Sequence, residues 1–118
     1  DMETTLIILP GRFDHFTQYL DLVRSAESTI TREGYDGVYQ IASFHPEYCF
    51  AGADNNDPAN YTNRSLYPIP HILREKSISH AVDHYAGAAG IPEQNIAFAQ
   101  NKGLEYMLLL GLSCLVEL

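Results

Sequence analysis

The 118 residues carry 15 acidic and 7 basic side chains, a formal charge of −8, and 46% of the chain is hydrophobic. That length and composition fit one domain with a core of its own, because two cores would each be too small. The acidic field and the lack of any basic run exclude nucleic acid as a partner, while a local basic pocket could still take a small anion.

Thr4–Leu9 (TTLIIL) is β-branched and apolar and stops at Pro10-Gly11, which predicts a strand. Phe13, Phe16, Leu20, Val23 and Ile30 then recur at helical spacing among Asp14, Gln18, Asp21, Arg24 and Glu27, with Gly34 as a stop. Val38–Phe44 (VYQIASF) is apolar without alternation, the pattern of an interior strand covered on both faces, and His45-Pro46 ends it. A helix between two strands permits a right-handed parallel crossover.

Residues 51–70 hold Gly, Asn, Asp, Pro and Ser and predict a long loop, a feature that is often functional in compact domains. Pro70 suits the first turn of a short helix over His71–Lys76. Ser77 suits the N-cap of the next helix, with Ile78, Ala81, Val82 and Tyr85 on its buried face. Beyond Gly87–Gly90, Pro92 opens a helix over Glu93–Lys102, closed by Gly103. The expected fold is α/β (or α+β): a small sheet with a βαβ-type start, a long polar loop and C-terminal helices, in a single domain over residues 1–118.

Two strands make a thin sheet. A further strand is expected from the apolar tail, from an N-terminal segment of a longer natural protein, or from a second subunit. The tail, Met107–Val116, falls short of the ~20 residues that cross a bilayer, so no membrane span is expected. It reads as a buried terminal element or a contact surface, and a homodimer would cover it. Cys49 and Cys114 form no CxxC pair and nothing resembles a signal peptide, so the expectation is reduced thiols in a cytoplasmic protein.

The densest run of functional groups spans residues 45–75. His45, at the carboxyl end of a strand, stands where ligands commonly bind in open α/β sheets. Arg64 offers a planar fork for a carboxylate or phosphate, with Arg74 as a second cation. Tyr48, Asn60, Thr62, Asn63 and Ser65 add hydrogen-bonding groups. His71 and Glu75, one helical turn apart in the expected helix, could exchange protons near neutral pH. Catalytic roles thus fall to His45, His71 and Glu75 and ligand contacts to the rest, with Arg64 and His71 expected in one site. The competing reading is structural: Asn, Asp, Ser and Thr can make a long loop self-supporting through bonds to its own backbone.

The runs SFHPEYCFAG (43–52) and NYTNRSLYPIPHILRE (60–75) resemble the hallmark of an uncharacterised, mostly bacterial family of unknown function. By position the resemblance marks His45, Pro46, Tyr48, Phe50, Gly52, Asn60, Thr62, Asn63, Arg64, Ser65, Tyr67, Pro68, His71, Leu73, Arg74 and Glu75, and it extends from about Thr4 to Gly103. It implies no established activity. It also implies an upstream Leu-Cys-Pro-Phe-type motif that this chain does not contain.

Metal motifs are incomplete. His80 and His84 have helical spacing, but Ala81 stands where HExxH needs glutamate, and a solvated pair is the plainer reading. Asp54-Asn55-Asn56-Asp57 lacks both the turn glycine and the terminal glutamate of a calcium loop. Neither a structural metal nor a cofactor is expected. Two functions remain open. One is an enzyme-like domain binding a small anionic or polar metabolite through the Asn/Arg/His loop. The other is a non-catalytic module in which that loop binds a protein or closes the fold.

Overall fold

The β-α-β start is present, with a third strand inserted where a helix was expected. In the computed structural model, which describes residues 3–115, β1 (Thr4–Leu6), α1 (Phe16–Arg32) and β2 (Tyr39–Phe44) follow in order. The strand β3 (Ile69–Arg74) lies between β1 and β2 and runs antiparallel to both. β1 and β2 are therefore parallel to each other with one strand between them, and the fold is α+β. Three expectations are corrected here. His71–Arg74 is strand and helix starts only at Glu75, β2 is an edge strand and not an interior one, and the third strand comes from residues 69–74.

Pro70 explains the misreading, and the ladder explains why proline is tolerated in a central strand. The carbonyls of Pro70 and Pro68 accept hydrogen bonds from the backbone N–H groups of Ile7 (3.1 Å) and Leu9 (3.0 Å). Neither proline has an N–H to return the bond. β1 therefore ends at Leu6 as a two-sided ladder and continues toward Leu9 by single bonds, which shortens the predicted strand.

α1 begins at Phe16, three residues later than the apolar spacing suggests, because Phe13 takes a left-handed conformation (φ 58°). Its Tyr19 and Val23 are buried, while Phe16, Leu20 and Ile30 are half-buried. Strand alternation puts Thr5, Ile41 and Ile72 on one sheet face. Ile30 of α1 meets that face around a small cavity lined by Thr5, Tyr39, Ile72 and Arg74. The opposite face carries Leu6, Ala42, His71 and Leu73, with Leu6 exposed.

A 3-10 turn (Pro58–Asn63) precedes β3, and α2 (Glu75–His84) follows it without a break. Ser77 is not the N-cap, which is Arg74; the Ser77 hydroxyl bonds the Glu3 carboxylate instead. No α2 residue is buried, and Val82 and Tyr85 face solvent, contrary to the expected apolar face. α3 (Ile91–Lys102) packs on the 3-10 turn, and small side chains at the buried Ala99 and Ala59 let the two backbones approach. Gly103 ends α3 at a positive φ of 87°, and the tail then forms α4 (Leu104–Ser113). Among the described residues, no helix is long and apolar enough to cross a membrane.

Candidate functional site

Two of the three largest fully buried side chains are polar, and both belong to the loop: His45 and Asn60 are completely shielded from solvent. A buried polar group is stable only when hydrogen-bonded, and these are. The His45 Nδ1 accepts from the Glu47 backbone N–H (2.9 Å) and its Nε2 bonds the Phe13 carbonyl (2.8 Å). A carbonyl can only accept, so Nε2 carries the proton and the ring is the neutral tautomer. That bond also anchors Phe13, whose left-handed backbone costs a bulky residue about 1–2 kcal/mol.

Asn60 holds the far side of the loop. Its Oδ1 accepts from Phe50 N–H (3.0 Å), and its Nδ2 donates to the Asp54 carbonyl (2.8 Å) and, more weakly, to Cys49 Sγ (3.7 Å). Asn63 donates to the Ser43 carbonyl (3.1 Å), tying the turn back to β2. The Thr62 hydroxyl donates to the Ala59 carbonyl (2.9 Å), and Ser65 donates to the Tyr67 carbonyl. Asp57 caps the 3-10 turn by accepting from Ala59 N–H (2.9 Å), and Asp54 closes an Asx-turn onto Asn56 N–H (2.8 Å). Among the described residues, no buried side-chain nitrogen or oxygen lacks a partner.

An aromatic cluster joins this loop to α1. Phe16 and Tyr19 lie about the His45 ring (centroids 5.3 and 5.1 Å), and Tyr48 meets the edges of Phe16 (5.2 Å) and Phe50 (5.1 Å). The Tyr19 hydroxyl donates to the Ile69 carbonyl (3.0 Å) and accepts from Phe44 N–H (3.1 Å), clamping the ends of β3 and β2. Burial raises the pKa of Tyr19, against the opposing effect of the Phe44 bond, and burial likewise raises that of Tyr48. Sequence reasoning passed over Tyr19. Its signal was position: it shares a helical face with Phe16 and Val23.

His71 lies elsewhere. On β3 it pairs with Leu6 and Ala42, bonds the Thr4 hydroxyl and lies 6.1 Å from the Phe44 ring at a tilt of 43°. Glu75 begins α2, so the expected His71–Glu75 pair on one helix face does not form. The Arg74 guanidinium lies 5.7 Å from the Tyr39 ring centroid.

Arg64 is where the loop meets open space. Its Nε donates to the Tyr48 carbonyl (2.9 Å), its Nη2 donates to the Asn55 carbonyl (3.0 Å), and the Tyr61 ring lies 4.6 Å beneath the guanidinium. No partner engages Nη1 among the described residues. Arg64, Ser65 and Tyr61 form one wall of a groove of about 450 Å³, and Met107, Leu108, Leu110 and Leu112 of α4 form the other. Neither His45 nor His71 lines it. The α4 wall was legible only as an apolar tail, because an all-apolar run shows no periodicity to mark a face.

The fold and this site define a small α+β domain organised by a self-bonded polar loop. Residues 1–108 match the family described as "Protein of unknown function (DUF1415)", and the chain belongs to that family. No curated protein and no solved structure matches the chain.

Proposed function

We propose that this domain is a binding module for a small amphipathic anion, a carboxylate joined to an apolar chain or ring, seated in the groove between Arg64 and α4. The observation that carries the reading is the state of Arg64. Two backbone carbonyls and an aromatic ring hold its fork in place, and Nη1 stays unspent beside an apolar wall. Guanidinium is the cation suited to a carboxylate, and a preset orientation reduces the entropy lost on binding. The groove's size is ordinary for a small-molecule site.

Binding is favoured over catalysis because the loop's polar groups are committed to its own backbone. Both His45 ring nitrogens are engaged, and the groove contains no histidine to move a proton. Cys49 and Cys114 carry free thiols, which suits a reducing, cytoplasmic setting.

A matched pair of probes tests this reading. In an NMR titration, octanoate is expected to saturate and to shift the resonances of Tyr61, Arg64, Ser65 and Met107–Leu112. Octanol, which keeps the chain and loses the charge, is expected to bind at least ~10-fold more weakly, since a charge-assisted hydrogen bond contributes about 1.5–3 kcal/mol. Equal affinities, or shifts confined to other residues, would refute the proposal.

A further inference from the structure

The exposed end of α2 carries a pair of imidazoles that the groove does not use. His80 and His84 stand four residues apart on one helix face, with ring centroids 3.9 Å apart and planes inclined by 25°. Both side chains face solvent. We propose that they form a two-histidine chelate for an exchangeable borderline transition-metal ion of the nickel(II), copper(II) or zinc(II) class.

Three features support the assignment. The first is the tautomer. The Nδ1 of His84 bonds the His80 carbonyl at 2.8 Å, and a carbonyl can only accept, so Nδ1 carries the proton. In the neutral ring this leaves the Nε2 lone pair free. A backbone carbonyl holding the opposite nitrogen is also the usual outer partner of a metal-bound histidine, fixing both tautomer and ring orientation.

The second is spacing. Metal–nitrogen bonds of about 2.0–2.1 Å hold two adjacent ligand nitrogens roughly 3 Å apart. The stacked rings, with centroids 3.9 Å apart, hold their lone pairs nearly parallel, so turning the rings about their side-chain torsions is what aims both at one ion. Two separated side chains would have to be gathered from many rotamers, whereas these already lie together.

The third is the local field. His84 is the last residue of α2, where the unpaired carbonyls of the final turn favour a cation, and the exposed Asp83 lies between the two histidines in the chain. Imidazole ligands suit zinc, copper and nickel over calcium or magnesium, which select oxygen.

The ligand count sets the character of the site. Among the described residues, no group of three metal-ligating side chains converges. The protein therefore supplies two ligands, and water fills the other positions. His80 also lines a cavity of about 590 Å³ with Glu3, Lys76 and Ser77, which gives those positions room to exchange. Such a chelate is labile, unlike a closed structural zinc site.

The test uses the intact chain with nickel chloride or zinc chloride alone, followed by calorimetry and thermal melting. One ion per chain is expected, with a rise in Tm that grows with metal concentration, as for any ligand binding only the folded state. His80→Gln and His84→Gln should each weaken binding by at least ~10-fold and abolish the Tm shift, which matches the loss of roughly 1.4 kcal/mol or more per ligand. His15→Gln, a change at another exposed histidine, should leave both readouts as they were. Far-UV circular dichroism confirms that α2 survives in each variant. Binding that persists in the doubly substituted His80→Gln/His84→Gln protein would overturn the proposal, as would an intact chain that binds no metal above that level.

Discussion

Between His45 and Ser65 the chain satisfies its polar groups from within, whereas α4 leaves its apolar groups to water. The loop hides a histidine and an asparagine completely and gives each a full set of partners. α4 has no buried residue, and Leu108, Leu109, Leu110 and Leu112 are all exposed. The usual division, with apolar groups holding the fold and polar groups meeting the ligand, is here partly reversed. The polar loop supplies stability and presents one cation, while the apolar helix supplies the surface on which a ligand can lie.

The largest effect expected from this contrast is at Asn60. Asn60→Leu keeps the branching and heavy-atom count of the side chain but strands the Phe50 N–H and the Asp54 carbonyl, which should cost about 3 kcal/mol and lower Tm by roughly 10 °C. A Tm within ~2 °C of the parent would show that the loop is not where the stability lies.

Tyr19→Phe comes next, at about 1–2 kcal/mol, because it removes the hydroxyl shared by Phe44 and Ile69. It also sharpens the comparison through pH. Burial raises the folded-state pKa of Tyr19, so its contribution is fully present below the unfolded value of about 10 and is lost as pH rises through the folded value. Urea unfolding followed upward from neutral pH should therefore show a shallower alkaline decline in Tyr19→Phe. Tyr48, shifted the same way, keeps the decline from vanishing. An unchanged slope would contradict this account of Tyr19.

The smallest effect should be at Leu109, an exposed α4 residue outside the groove lining. Leu109→Gln should change stability by no more than ~0.5 kcal/mol. A loss above about 1.5 kcal/mol would mean that this leucine is covered in solution, and sedimentation would then show whether a second copy covers it.

The sequence made β1, α1, β2 and α3 legible because each carries a strong local signal: a β-branched run, a helical apolar period, or a proline opening and glycine closing a helix. β3 was not legible, since Pro70 inside Ile69–Arg74 argues locally against a central strand. Only the one-sided bonding of Ile7 and Leu9 resolves that conflict. The loop's residue types were readable as a cluster, but their directions were not. Nothing local tells that Asn60 turns inward, that Arg64 reaches the carbonyls of Tyr48 and Asn55, or that His71 sits on a sheet with Thr4 as its partner. Those directions are set by tertiary register, which also separates the groove from His71.

The most direct test of the account is the octanoate affinity of Arg64→Lys, measured by calorimetry alongside its melting curve. Lysine keeps the positive charge and loses the planar fork that Tyr48, Asn55 and Tyr61 hold in place. The account predicts a dissociation constant at least ~10-fold higher in a variant that still melts cooperatively. An unchanged dissociation constant in that folded variant would contradict it.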